Sequence, residues 1–95
     1  MSDLQNSTTE FLLRVLSEEG EIWNKPVLAI QTGNAEGPLS ILSGHANFIS
    51  IITDDVQIFM LGEKTHSFPV ETGIIRMRDN ELELFLGVEV LDVQQ

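Results

Sequence analysis

Apolar residues in this chain come in short runs, and residues that favour turns break them every few positions. Strict alternation marks a strand with one buried face, because successive side chains of an extended chain point to opposite sides. Residues 11–16 read as such a strand, with Phe11, Leu13 and Val15 on one face. Helical spacing of Leu12, Val15 and Leu16 offers a competing helix, but the Glu19-Gly20 turn and the β-rich remainder favour the strand. Glu18-Glu19-Gly20 turns the chain, and Glu21-Ile22-Trp23 begins the return. Pro26 cannot donate to a ladder, which restricts it to an edge or a strand start.

Further strands are predicted over 27–32, 39–42, 48–52, 56–61, 67–71, 73–77 and 81–86, with a last short one inside 87–95. Gly62 suits a hairpin turn that needs positive φ, and Asn80 suits a left-handed turn position. Leu82, Leu84 and Leu86 alternate with Glu81, Glu83 and Phe85, giving one apolar and one mostly acidic face. The expected fold is all-β, a flattened antiparallel sandwich of about 8–10 short strands. Leu13, Val15, Ile30, Ile41, Ile58, Leu82 and Leu84 share strand parity with their neighbours and should form its core. Leu12, Leu16, Phe59, Leu61 and Phe85 have the opposite parity, so some apolar area should reach the surface or be buried in two-sided strands.

The chain of 95 residues is sized for one domain. Residues 1–9 read as a flexible polar arm, 10–91 as the sandwich and 92–95 as a frayed end. Fifteen acidic against five basic residues give a net charge of −10, which repels nucleic acid phosphates and anionic lipid and favours a basic protein surface as partner. Cysteine is absent, which excludes disulfides and thiolate ligands. No signal peptide stands at the start, and no apolar run approaches the ~20 residues needed to span a bilayer. The expectation is a soluble protein that reaches a membrane only through another subunit.

Candidate chemistry is sparse. His45, His66 and Glu71 are ligand types for divalent metals, but the histidines stand on separate segments and neither has an acid two residues away. Ser40, Ser43 and Ser50 lie near His45 without the glycine-flanked elbow of a nucleophile. Gly33-Asn34-Ala35-Glu36-Gly37 joins two strands and has no lysine, so it lacks the helix and the cation of a phosphate cradle. The Glu18-Glu19-Gly20-Glu21 and Asp54-Asp55 runs read as solvated turns. No catalytic, cofactor-binding or metal-binding set emerges.

One run is more specific. Glu36-Gly37 leads into Leu39-Ser40-Ile41-Leu42, and Gly44-His45-Ala46 follows. It resembles the signature of the epsilon subunit of F-type ATP synthases, and the similarity extends over residues 10–90. Phe11 to Ser17 is similar to the family's opening strand, residues 68–75 to a later strand pair, and Asn80 with the strand after it to the final hairpin. Ser43 stands where the family usually has proline, and Thr72 where a glycine is common.

The resemblance implies a non-catalytic central-stalk subunit of a proton- or sodium-translocating synthase, coupling the gamma subunit to the c ring. It implies a peripheral place on the cytoplasmic side of the energy-coupling membrane, the inner membrane of a bacterium. Its site residues would be a c-ring-facing loop of Asn34, Ala35, Glu36, Gly37 and Pro38, and a gamma-facing set of His45, Ala46 and Ile49. The sequence ends where the family's helical hairpin begins, so neither nucleotide binding nor inhibition of hydrolysis is expected of this polypeptide. The alternative reading is a free-standing acidic β-sandwich that binds another protein or a small ligand.

Overall fold

The computed structural model describes residues 9–62 and 64–87. Nearly all of the arm expected over 1–9 lies outside that range, as do the last strand expected after Gly87 and the end at 92–95. The described residues form nine strands: β1 (Phe11–Ser17), β2 (Gly20–Val27), β3 (Ala29–Asn34), β4 (Gly37–Leu42), β5 (Phe48–Ile52), β6 (Val56–Phe59), β7 (His66–Phe68), β8 (Gly73–Arg78) and β9 (Glu81–Phe85).

They build two sheets, one ordered β2-β1-β9-β8-β5 and the other β4-β3-β6-β7. Every pairing is antiparallel except β1 with β9, which run parallel with Leu13 beside Leu82 and Val15 beside Leu84. The expected all-β sandwich is therefore observed, and residues 11–17 are strand rather than helix.

Alternation explains the core. Phe11, Leu13 and Val15 of β1 are buried while Leu12, Arg14 and Leu16 are only half-buried. All seven expected core residues are fully enclosed, joined by Val27, Ile52, Val56, Ile75 and Met77. Burying a side chain of this kind contributes about 1.5–3 kcal/mol, so this set dominates the favourable term.

One boundary differs from the sequence reading. A single strand was expected over 27–32, but the chain finishes β2 at Val27 and starts β3 at Ala29. Leu28 is the point of transfer between sheets, its N–H donating to the Phe59 carbonyl at 2.8 Å. Val27, Leu28, Ala29 and Ile30 are all buried, so hydrophobicity gives no sign of the switch. Pro26 lies within β2, tolerated because β2 is an edge strand. The strands expected over 56–61 and 67–71 are shorter, ending at Phe59 and running over His66–Phe68.

The two long sides of the sandwich differ. On one, Trp23 of β2 stands edge-on to Phe68 of β7, with centroids 5.8 Å apart and planes at 85°, and to His66 at 5.4 Å. This aromatic cluster closes the gap between the sheets. On the other side, β4 and β5 are the edges.

Candidate functional site

The β3–β4 turn is built by Asn34. Its Oδ1 accepts the Glu36 N–H at 2.9 Å, and its Nδ2 donates to Ser50 Oγ of β5 at 3.1 Å. Asn34 pairs with Gly37 across the turn, and Gly37 has φ +128°, which a side chain rarely adopts. Ala35 and Glu36 are left at the exposed tip. Asn34, Ala35 and Glu36 share a shallow groove of about 330 Å³ with Phe48, Ile49, Ser50 and Ile51. One sequence-predicted patch, the 34–38 turn, thus meets one member of the other, Ile49.

His45 lies elsewhere. Strand β5 runs from the His45 loop toward the Glu36 turn, where Thr53 donates to the Gly33 carbonyl at 3.1 Å. His45 and Ala46 therefore precede the start of β5, whereas the 34–38 turn stands beside the strand and its far end. His45 is half-buried, its Nδ1 lies 2.9 Å from the Ala46 carbonyl, and its ring stacks at a tilt on Phe48 with centroids 4.9 Å apart.

The β8–β9 hairpin pins this loop. Asp79 and Asn80 both have positive φ, which gives a two-residue turn of the kind that matches the twist of its strands. Asn80 Oδ1 accepts the Gly44 N–H at 2.7 Å, Asn80 Nδ2 donates to Ser43 Oγ at 3.2 Å, and Asn47 Oδ1 accepts the Asp79 N–H at 3.0 Å. Asn80 was legible as a turn residue; its hold on the His45 loop was not.

Charge is sorted along the molecule. The parallel β1–β9 pair and the antiparallel β8 and β5 bring the β1–β2, β5–β6 and β7–β8 connections to the same end as the β3–β4 turn. Glu18, Glu19, Glu36, Asp54, Asp55 and Glu71 all stand there, exposed. Arg14 and Arg76 sit mid-strand, and the other end mixes Lys64 and Arg78 with Glu10, Asp79 and Glu81. Glu18, Glu19, Asp54 and Asp55, read singly as solvated turns, join Glu36 and Glu71 in one acidic end.

The outer faces of the sheets also differ. On the four-stranded sheet Ser40, Gln31, Gln57 and Ser67 stand in one polar row. On the five-stranded sheet Leu16, Phe85, Ile74 and Ile51 form an apolar row across β1, β9, β8 and β5. The adjacent row is Arg14, Glu83, Arg76 and Ile49. Arg14 bonds Glu21 at 2.7 Å and reaches Glu83 at 3.4 Å, and Arg76 Nε bonds Glu83 at 2.8 Å. Arg14 holds the Glu21 carboxyl below its ordinary range, mainly through that hydrogen bond, with a second from Asn24. Ile49 is 67% exposed and Ile51 47%. Of the off-parity residues, Leu61 is exposed while Leu12, Leu16, Phe59 and Phe85 are half-buried.

Among the described residues, His45, His66 and Glu71 are not brought together into a metal-binding group. No helix of the described chain is long and apolar enough to cross a membrane.

Residues 10–86 match the family described as ATP synthase, Delta/Epsilon chain, beta-sandwich domain. The chain belongs to that family. It is 30% identical over 76 residues to the ATP synthase epsilon chain of Clostridium botulinum, a match covering 79% of this chain and 57% of that one. The chain therefore spans little more than half the length of that curated relative. The fold is shared with a chain of the Euglena gracilis mitochondrial ATP synthase (OSCP/F1/c-ring, rotational state 1), at TM-score 0.77 and 19% identity over 90% of this chain and 55% of that chain. It is also shared with a chain of the Tetrahymena thermophila mitochondrial ATP synthase (central stalk/c-ring), at TM-score 0.71 and 15% identity over 84% and 65%.

Proposed function

We propose that this chain is the β-sandwich of an epsilon subunit, a non-catalytic part of a proton- or sodium-translocating F-type ATP synthase. It sits peripherally on the cytoplasmic side of a bacterial inner membrane and couples gamma to the polar loops of the c ring. Family membership and the epsilon-chain relative support the assignment. The observation that carries the orientation is the acidic end. Glu36 lies among carboxylates gathered from four connections, a surface that attracts the basic loops of a ring. Asn34, Ala35, Gly37 and Pro38 present it there.

The gamma-facing surface is the outer face of the five-stranded sheet and its β5 border, where Ile49 and Ile51 are exposed beside the apolar row. An exposed apolar row is the kind of area that a stable partner covers. His45 and Ala46 lie just before the start of the same strand.

Capture of purified gamma and of the c ring by the chain, at low and high salt, tests both halves. Glu36→Lys is expected to weaken ring capture by about 0.2–1 kcal/mol or somewhat more, with the deficit shrinking in high salt. Ile49→Ser is expected to weaken gamma capture equally at both salts, because an apolar contact is not screened. Full capture of both partners by both variants would remove the orientation. Failure of the wild-type chain to capture either partner would favour the free-standing acidic module.

A further inference from the structure

The loop that carries His45 and the β8–β9 turn hold each other. Asn80 of the turn accepts the Gly44 N–H at 2.7 Å and donates to Ser43 Oγ at 3.2 Å. Asn47 of the loop in return accepts the Asp79 N–H at 3.0 Å. Inside the loop, the His45 N–H donates to the Leu42 carbonyl at 3.1 Å, which closes a turn but leaves its direction open. Gly44 has φ +82° and no Cβ to restrict it, so this backbone has more freedom to lose than most. Contacts with the β8–β9 turn therefore decide where the loop stands.

This reciprocal clamp encloses no core. Gly44, Ala46, Asn47, Asp79 and Asn80 are exposed, and Ser43 and His45 are half-buried. The β8–β9 turn closes without it, since Arg78 pairs with Glu81 and both central residues have positive φ. Hydrogen bonds between exposed groups replace bonds to water and contribute modestly to stability. Their effect is on shape, because they order a loop that a partner would otherwise have to order on binding.

We infer that Asn80 is a positioning residue, which sets the surface of His45 and Ala46 in the form that gamma takes. The inference rests on the reading that gamma meets His45 and Ala46 together with Ile49. Asn80 acts on His45 through the backbone, since Gly44 precedes it and Asn47 fastens the same stretch from the other side. The His45 ring then lies on Phe48, with centroids 4.9 Å apart, and its Nδ1 stands 2.9 Å from the Ala46 carbonyl. A loop released at Gly44 keeps the Asn47 bond and the Phe48 contact. The surface is therefore loosened by loss of Asn80, not abolished.

The test measures capture of purified gamma and of the c ring by the wild type, Asn80→Gly, His45→Ala and the double variant. Circular dichroism checks that each is folded. Asn80→Gly keeps the turn, because glycine accepts its φ of 65°. Gamma capture is expected to weaken about 3–10-fold, equivalent to one or two net hydrogen bonds, with ring capture unchanged. His45→Ala should weaken gamma capture in the wild-type background and by clearly less beside Asn80→Gly, where the ring is no longer held in place. Parallel losses for both partners would show a role in stability alone and overturn the inference, as would strictly additive effects of the two substitutions. Undiminished gamma capture by Asn80→Gly, with the wild type binding and Ile49→Ser impaired, would overturn it and leave the gamma reading intact. Failure of the wild type to capture gamma would remove that reading, and this inference with it.

Discussion

Asn80 accepts the backbone N–H of Gly44 at 2.7 Å, so a residue chosen for its left-handed turn also holds a loop in another part of the fold. The two roles separate by substitution. Asn80→Gly keeps the φ of 65° and loses the hydrogen bonds to Ser43 and Gly44, an expected cost of about 1 kcal/mol. Asn80→Ala also strains the turn, raising the expected cost to about 2 kcal/mol. In both, amide exchange at Gly44 and Asp79 should accelerate ahead of exchange in β9.

Gly73 is enclosed rather than conformationally special. A Cβ there would lie 3.1 Å from the Phe85 carbonyl oxygen, 3.3 Å from Val70 and 3.5 Å from Ile52. The first neighbour is backbone inside a paired strand and yields little. Gly73→Ala is expected to destabilise by about 1–3 kcal/mol, as overpacking does. Thermal unfolding should fall by about 4–8 °C for each kcal/mol lost.

Trp23 closes one side of the sandwich with an indole N–H that has no hydrogen-bond partner among the described residues. Trp23→Phe removes that unmet donor and keeps the edge contacts with Phe68 and His66. Its stability is expected to stay within about 1 kcal/mol of the wild type. Trp23→Ala opens the gap between β2 and β7, with an expected loss of about 2–3 kcal/mol. Urea unfolding followed by circular dichroism distinguishes the two.

Acid should loosen the outer face at β2. The Glu21 carboxyl is held below its ordinary 4.5 by hydrogen bonds from Arg14 and Asn24. A lowered folded value means the contribution is present above 4.5 and is lost as pH falls through the folded value. Glu21→Gln should therefore flatten the acid limb of a plot of urea midpoint against pH, leaving its slope above about pH 6 unchanged.

Much of the fold was legible in the alternation of residues. Leu82 and Leu84 against Glu81 and Glu83 determined a one-sided strand, and Leu13 and Val15 determined its counterpart. The switch at Leu28 was not legible, because a chain crossing between two sheets is buried throughout and alternation vanishes there. Asn34 and Asn80 were recognisable as turn formers. Their bonds to Ser50 and Gly44 depend on which strands the sheets bring together, and local propensity holds no record of that.

The candidate site divides the same way. Sequence alone determined that the chain is acidic, that Glu36 sits in an exposed turn and that β5 is apolar, since composition and turn chemistry are local properties. Only tertiary structure decided that Glu18, Asp54, Asp55 and Glu71 join Glu36 at one end, because that follows from strand directions within the sheets. It also decided that β5 is an edge. The physical reason is that exposure belongs to neighbours: Phe48-Ile49-Ser50-Ile51-Ile52 would read identically at the centre of a sheet, where Ile49 and Ile51 could be covered as Ile52 is.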